Sequence, residues 1–253
     1  MLMNKVWDYI VNKMPGELMV SLIVMLVIAI FAIVLGHAIK KADPTKAPKG
    51  LAFVADFIVD FSYSTIRKNL GNVYDFVAPY FIFLVFYVPL AFMSGLLGLA
   101  SPMTYYTIPL CLAFVSWLGI QISAIKYQKL DYLKSFTDPL PPWLPVFIPI
   151  NILSKLSPLL SLSIRMFGNA LAGSILMLLV YWGTGLLSNA VFSFITPSAF
   201  NVFGVIIAPA LHAYFDVFGS FIQTLIFVLL SMLLIAKEIP APVNREIKIK
   251  QEK

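Results

Sequence analysis

The sequence predicts an all-α protein, a polytopic bundle of about five membrane-spanning helices. Of its 253 residues, 60% are hydrophobic and only 12% are charged, whereas charged residues make up about 25% of soluble domains. The mean hydropathy is +0.90. Several apolar runs reach the ~20 residues that a helix needs to cross a hydrocarbon core of ~30 Å. These runs are continuous, which favours helices over the strands of a membrane barrel, since such strands alternate over ~10 residues.

Two helices are predicted in the first quarter of the chain. The run 18–36 lies between mixed charges and the pair Lys40 and Lys41, unlike a cleaved signal peptide, and we expect a permanent span. The segment 51–67 has its charged residues at helical spacing opposite a row of phenylalanines. This pattern predicts an amphipathic helix that lies along the cytoplasmic membrane surface.

A helical hairpin is predicted next, with crossings at 76–99 and 107–125 joined by an uncharged loop around Ser101. The proline-dense run Pro139–Pro149 follows a basic segment and is not expected to form regular helix. It is interpreted as a cytoplasmic connector that returns the chain to the membrane.

The last part of the chain predicts two long helices, 156–187 and 202–236. Between Lys155 and Lys237 the chain is almost free of charge, yet both ends carry basic residues, so the number of crossings is even. Two crossings leave more residues than upright helices need, which indicates strong tilt and an outer turn near Ser188–Pro197. Four short spans are the alternative.

The basic residues also predict the orientation. They fall in alternate segments: 40–68, 126–155 and 237–253 are basic, while the loops 100–106 and 188–201 are not. The positive-inside rule therefore places the three basic segments and the C-terminus in the cytoplasm and the N-terminus outside. This distribution also argues against a nucleic-acid partner, because the charges follow the membrane topology.

Two charged residues, Arg165 and Asp216, lie well within the last two apolar stretches. An ionised side chain near the bilayer centre costs ~2.5 kcal/mol or more, and such residues usually mark an ion or proton pathway. Arg165 lies ten residues past Lys155, which is ~15 Å of helix. The alternatives are snorkelling of Arg165 to an interface and a static Arg165–Asp216 pair. For Asp216 both a hydrogen-bonded structural role and a proton relay stay open.

Polar residues form one stripe on each of these two helices. The first recurs every four residues and continues into small side chains; its members are Ser157, Ser161, Arg165, Asn169 and then Ala172, Gly173 and Ser174. The second contains His212, Asp216, Ser220 and Gln223. We expect the two stripes to face each other. Asn169 and Gln223 could simply join the helices by hydrogen bonds, and His212 is interpreted as a solvated histidine near the outer face.

The string SLSIRMFGNALAG, residues 161–173, closely resembles the arginine helix of the F-type ATP synthase subunit a family, and residues 212–231 resemble its final helix. The resemblance implies a non-catalytic stator and ion-channel subunit, expected to carry protons, in a bacterial plasma membrane. It further implies that Arg165, Asn169 and Gln223 face a rotating ring of c subunits, with membrane lipid and peripheral-stalk b subunits as the other partners. Many relatives carry an acid or histidine where this chain has Ser174, so the outer half-channel is expected to depend on Asp216 alone.

Two other classes of protein are less consistent with the sequence. A secondary transporter that binds an anionic substrate at Arg165 predicts inverted repeats, and none is found. A haem- or quinone-binding redox anchor is the second class; bis-histidine haem ligation would need both His37 and His212, which are expected at opposite membrane faces. The single cysteine, Cys111, and the absence of a P-loop from the sequence predict no thiolate metal site and no ATP chemistry on this chain. We therefore expect no cofactor and no metal.

Overall fold

The computed structural model describes residues 14–41, 48–129, 132, 148–192 and 201–239. Every regular element within these ranges is helical, which confirms the all-α class. The α-helices are α1 Gly16–Lys41, α2 Leu51–Leu70, α3 Ala78–Met93, α4 Thr107–Gln128, α5 Ile148–Phe192, α6 Val202–His212 and α7 Gly219–Lys237. Short 3₁₀ turns lie at Asn72–Val77, Ser94–Leu97 and Pro102–Thr104, and a π-helical segment, Ala213–Phe218, joins α6 to α7.

Five stretches in the described part of the chain are long and apolar enough to cross a membrane: Gly16–Lys41, Tyr74–Leu97, Thr107–Gln128, Pro149–Val191 and Val202–Lys237. The predicted number of crossings is therefore confirmed. The last two have 43 and 36 residues, which is ~65 Å and ~54 Å of helix. Because a hydrocarbon core is ~30 Å thick, helices of this length must tilt strongly or extend well beyond it.

Helix α5 extends beyond the predicted span 156–187 at both ends. It begins at Ile148, inside the run Pro139–Pro149 that was expected to be irregular. Proline is tolerated in the first turn of a helix, where its missing N–H has no partner anyway, so Pro149 does not prevent this start. The rest of that run lies outside the described residues. At its other end α5 continues to Phe192, through the first residues of the predicted turn Ser188–Pro197.

Helix α2 covers the predicted amphipathic segment 51–67 and continues to Leu70. It contacts the bundle through a narrow face that includes the buried residues Ala52, Ala55 and Ile66. Phe53, Phe57 and Phe61 form a stacked, exposed row on another face. This row suits the apolar side of a helix lying at a membrane surface.

The turn after α2 is fixed by an ion pair between Arg67 and Asp75, with 2.7 Å between Nη2 and Oδ2. The carboxylate raises the pKa of the Arg67 guanidinium through this hydrogen bond and its charge. Gly71 lies between the two with a φ of 88°, a conformation that glycine adopts without steric cost. This turn directs the chain from α2 into α3.

Polar side chains join neighbouring helices inside the bundle. The Tyr80 hydroxyl of α3 donates to the Leu112 carbonyl of α4 at 2.7 Å, and Trp117 Nε1 of α4 donates to the Lys155 carbonyl of α5 at 2.8 Å. The hydroxyls of Ser21 and Tyr87 are 2.6 Å apart and link α1 to α3. Buried polar groups cost free energy unless they are paired, so these bonds also fix how the helices meet.

Two ends of the bundle can now be distinguished. The end at which α3 turns into α4, at Gly98–Ser101, is called the hairpin end. The opposite end, at which α4 finishes beside the start of α5, is called the Lys129 end after the exposed residue that follows α4. Helix α5 packs against both α4 and α6, and its length makes it the element that connects the two ends.

Candidate functional site

Arg165 lies on a groove along α5 that opens away from the bundle. The groove has a volume of about 440 Å³, and its other lining residues are Leu153, Ser157, Leu160, Ser161 and Ile164. Arg165 is half-buried. Within the described residues its guanidinium has no hydrogen-bond or ion-pair partner, and Asp216 pairs instead with His212. The described structure therefore contains no static Arg165–Asp216 pair, and an unpaired cation faces outward from the bundle.

A second feature is a cavity of about 430 Å³ at the hairpin end. It brings together four of the residues singled out in the sequence: Asn169, Ser174, His212 and Asp216. Ser101 and Thr104, from the turn between α3 and α4, line it as well. Arg165 is not among its lining residues, so the predicted site divides into a cavity and a separate groove. We call this space the hairpin-end cavity.

Three side chains in the hairpin-end cavity form a hydrogen-bonded chain. Nδ1 of His212 is bonded to Oδ2 of Asp216, and Nε2 of His212 is 2.9 Å from the hydroxyl oxygen of Tyr181. Both ring nitrogens of His212 therefore have protein partners, while its side chain stays 24% exposed in the cavity. Tyr181 was missed. It lies seven residues, or two turns, after Ser174, and this spacing places both on one face of α5.

The backbone around Asp216 is a π-helical segment, Ala213–Phe218. The N–H of Gly219 donates to the carbonyl of Tyr214, five residues earlier. A turn closed by such a bond holds more residues than an α-turn, and single π-turns inside α-helices occur frequently at functional sites. His212 immediately precedes this segment and Asp216 lies within it, four residues later, so that the two side chains meet on one face.

Asn201 holds the start of α6 against α5. Its side-chain oxygen accepts from the N–H of Gly204 at 2.7 Å and caps α6. Its amide nitrogen donates to the Tyr181 carbonyl at 3.0 Å and to the Thr184 hydroxyl at 2.9 Å. Because Tyr181 and His212 lie on the two helices that Asn201 joins, this cap helps to set the distance between their side chains.

A contact between α5 and α7 marks the inner limit of the hairpin-end cavity. Asn169 Nδ2 donates to Gln223 Oε1 at 2.7 Å, so the two polar stripes do meet at this level. Gln223 is only 1% exposed, and its Nε2 has no partner among the described residues.

Apolar side chains fill the bundle beside Arg165. Leu162, Met166 and Phe227 are each at most 1% exposed and belong to one hydrophobic core. They come from α5 and α7 and form an apolar layer, with only small buried hydroxyls such as those of Ser163 and Ser231 close to it among the described residues. A dry layer of this kind opposes water passage straight through the bundle.

A third polar space lies at the Lys129 end and has a volume of about 270 Å³. We call it the Lys129-end cavity; its polar lining residues are Gln121, Asn151, Ser154, Lys155, Lys237 and Glu238. Gln128 Nε2 donates to the Glu238 carboxylate at 2.7 Å beside it. The hydroxyl of Tyr132 donates to Gln121 Oε1 at 2.7 Å, and burial raises the pKa of this phenol. Of the residues that the structure describes, none lines both this cavity and the hairpin-end cavity.

The described residues contain no cluster of three histidine, cysteine, aspartate or glutamate side chains that could hold a metal ion. Arg165 instead lines the outward groove, His212 and Asp216 line the hairpin-end cavity, and Lys155, Lys237 and Glu238 line the Lys129-end cavity. Fold and site together define a polytopic α-helical membrane protein that carries charged groups within its long apolar helices.

Comparison with known proteins identifies the particular family. A family model described as ATP synthase A chain matches residues 18–236, so the chain belongs to that family. It is 33% identical over 239 residues to ATP synthase subunit a of Mycoplasmoides gallisepticum, which covers 87% of this chain and 77% of the relative. The subunit a of Mycoplasma pneumoniae is 30% identical, over 83% of this chain and 74% of its own length. ATP synthase subunit a 2 of Chlorobaculum tepidum is 29% identical, over 90% and 63%. The chain is therefore a multi-pass subunit of the ATP synthase membrane sector, which is not itself catalytic.

Proposed function

We propose that the chain translocates protons across the membrane through two half-channels that meet a rotating ring of c subunits at Arg165. One observation carries this proposal: two separate polar cavities lie at opposite ends of the bundle, and Arg165 lies between them on α5. Along α5, Pro158 is the last residue of the Lys129-end cavity and Asn169 is the first of the hairpin-end cavity. Pro158 and Asn169 are eleven positions apart, which is ~16 Å of helix. Neither cavity alone extends from one end of the bundle to the other.

The charge of Arg165 explains why protons would leave the ring beside this chain. A fixed cation in a low-dielectric wall attracts an ionised carboxylate and favours loss of its proton. The guanidinium stays protonated at any reachable pH, so it cannot itself pass the proton across. A proton entering through one cavity must then travel on the ring to reach the other. At 100 mV each such crossing supplies ~2.3 kcal/mol to the rotation.

Asn169 and Gln223 contribute to this mechanism as a barrier. Their hydrogen bond closes the inner limit of the hairpin-end cavity, and the buried side chains beside it keep water out. The barrier separates the hairpin-end water from Arg165 within the bundle. Protons then leave that cavity only toward a partner surface, where Ser174 and other small residues on α5 allow a close approach.

The alternative function, a secondary transporter that binds an anion at Arg165, fits the geometry less well. A substrate site of that class lies enclosed at the middle of the membrane between repeats. The Arg165 groove instead opens to the outside of the bundle, and the chain belongs to the ATP synthase A chain family. An outward groove suits a partner helix better than a small anion.

The proposed partners are the c-ring on the open α5 face, peripheral-stalk b subunits and membrane lipid. In mild detergent, a tagged form of this chain should copurify with a soluble ATPase head and a small proteolipid. ATP hydrolysis by the head should then acidify or alkalinise vesicles that contain the purified complex. Recovery of the chain alone from intact membranes, with binding of a small anion that Arg165→Ala abolishes, would favour the transporter.

The proposed orientation places the hairpin end outside and the Lys129 end in the cytoplasm of a bacterial plasma membrane. With the native thiol removed by Cys111→Ala, cysteines at Leu97, which is 78% exposed, and at the exposed Lys129 report the two ends. An impermeant thiol reagent should label Leu97→Cys in whole cells with a permeabilised outer layer and Lys129→Cys only in inverted vesicles. Labelling of both from the same side would exclude a hairpin crossing between them.

A further inference from the structure

The Tyr181 hydroxyl contacts His212 from a different helix than the one that carries Asp216. Tyr181 lies on α5, whereas His212 ends α6 and Asp216 follows in the π-helical segment. The side chains of His212 and Asp216 are 24% and 20% exposed, and both line the hairpin-end cavity with Tyr181. The chain of hydrogen bonds thus runs across the interface between helices and is open to cavity water.

The chemistry of a phenol suits this position. When the imidazole is neutral and its Nδ1–H donates to the Asp216 carboxylate, Nε2 is an acceptor, and the Tyr181 hydroxyl donates to it. When the ring is protonated, Nε2–H becomes a donor and the same hydroxyl oxygen accepts. A hydroxyl can therefore hold the ring in one orientation in both protonation states, which an apolar side chain cannot do.

We infer that Tyr181 is the positioning residue of a proton relay made by His212 and Asp216, and that this relay serves the hairpin-end half-channel. The inference rests on the proposed function and changes the expectation that Asp216 acts alone. The His212–Asp216 pair binds one proton from cavity water and gives up one proton toward the ring. Tyr181 neither gains nor loses a proton over that cycle, and no other bond changes.

The surroundings of the cavity leave few other groups for this role. Among its described lining residues, Tyr181, His212 and Asp216 are the ionisable ones; the other polar side chains are Ser101, Thr104, Asn169 and Ser174. Hydroxyls and an amide orient water but do not exchange protons near neutral pH. A proton that enters from the hairpin end therefore meets the His212–Asp216 pair as the available acceptor.

Tyr214 offers a matched control. It lies two residues after His212, its ring stacks on Phe218, and its side chain is 58% exposed. Its hydroxyl has no hydrogen bond among the described residues. Tyr214→Phe therefore removes the same atom at nearly the same depth without touching His212.

The test uses the whole ATP synthase complex in proteoliposomes, with ATP synthesis driven by an imposed proton gradient and rates normalised to head ATPase activity. Tyr181→Phe should lower the rate about 2- to 12-fold, the range expected for one hydrogen bond. Tyr214→Phe should leave the rate unchanged. In a His212→Gln background, Tyr181→Phe should cause no further decrease, because its effect passes through the imidazole.

Three results would overturn the inference: a wild-type rate for Tyr181→Phe, an equal fold-loss with and without His212, or failure of Tyr181→Phe to assemble, which would assign Tyr181 a structural role. Arg165→Ala in the same preparation separates this inference from the proposed function. If Arg165→Ala synthesises ATP normally, the proposed function itself fails. If Arg165→Ala fails to synthesise ATP, the result for Tyr181→Phe tests the relay separately from the proposed function.

Discussion

Arg165→Ala should abolish proton-coupled ATP synthesis while the complex remains assembled in the membrane. The expected loss is at least about 10²- to 10³-fold, the cost of removing one preorganised charge-stabilising group from a low-dielectric site. Without the fixed cation, the ionised form of a carboxylate on the ring is no longer stabilised at this point, so loss of its proton is not favoured. Rotation then no longer depends on the direction of proton entry.

Assembly should survive because the guanidinium has no partner among the described residues. Removing one member of a buried ion pair strands the other at ~3 to 5 kcal/mol. No side chain of the described chain is stranded in this way by Arg165→Ala, and the groove that it leaves is already open. The predicted phenotype is therefore loss of coupling without loss of the subunit.

The measurement compares ATP synthesis and ATP-driven proton pumping in vesicles with matched amounts of head. Ser161→Ala is the control, because Ser161 lines the same groove without carrying charge. Arg165→Lys should also be poor, since an ammonium on a flexible stem does not reproduce the planar guanidinium. Coupled synthesis at the wild-type rate in Arg165→Ala would refute the role assigned to the groove.

The sequence predicted the parts of this structure that depend on composition and helical period. Five apolar crossings, two unusually long C-terminal helices and two polar stripes follow from hydrophobic runs and four-residue spacings, and the helices are present. The meeting of Asn169 with Gln223 also follows, because both are polar residues that need a partner inside an apolar bundle.

Other features depend on three-dimensional geometry that spacing does not contain. A π-helical segment has no strong sequence signal, so the alignment of His212 with Asp216 could be expected only as an ordinary i, i+4 neighbour pair. The Tyr181 contact depends on how α5 and α6 meet at Asn201, which is a tertiary relation. The sequence left open a static Arg165–Asp216 pair, and the structure instead gives Asp216 a partner on its own helix.

Asp216→Asn should strongly impair proton entry at the hairpin end without preventing assembly. Amide and carboxylate have nearly the same volume, and the amide oxygen can still accept from Nδ1–H of His212. The imidazole is not stranded as a buried charge, since it can lose its proton. The rate of synthesis should fall by at most about 10²- to 10⁴-fold, the range for general acid–base groups. The loss is limited because water in the cavity can still reach the ring.

The control for this substitution is Asp75→Asn, which makes the same chemical change in the Arg67 ion pair, away from the hairpin-end cavity. It should leave the rate of synthesis per assembled complex unchanged. Low synthesis with normal assembly in Asp216→Asn supports the relay. Lost assembly would instead assign Asp216 a structural role, and an unchanged rate would remove it from the mechanism.

A second substitution makes the test of Asp216 specific to the cavity. Ser174 lines the same cavity from α5, and its exposed hydroxyl donates only to the Leu171 carbonyl of its own helix. A carboxylate introduced there by Ser174→Glu would face the same water as the lost one and exchange protons with it. The double variant Asp216→Asn, Ser174→Glu should therefore regain part of the synthesis rate, whereas Ser174→Gln should not. Equal rates for the two double variants would show that a carboxylate at position 174 cannot replace Asp216. Proton entry would then depend on the geometry of the His212–Asp216 pair, and not simply on the presence of a carboxylate in the cavity.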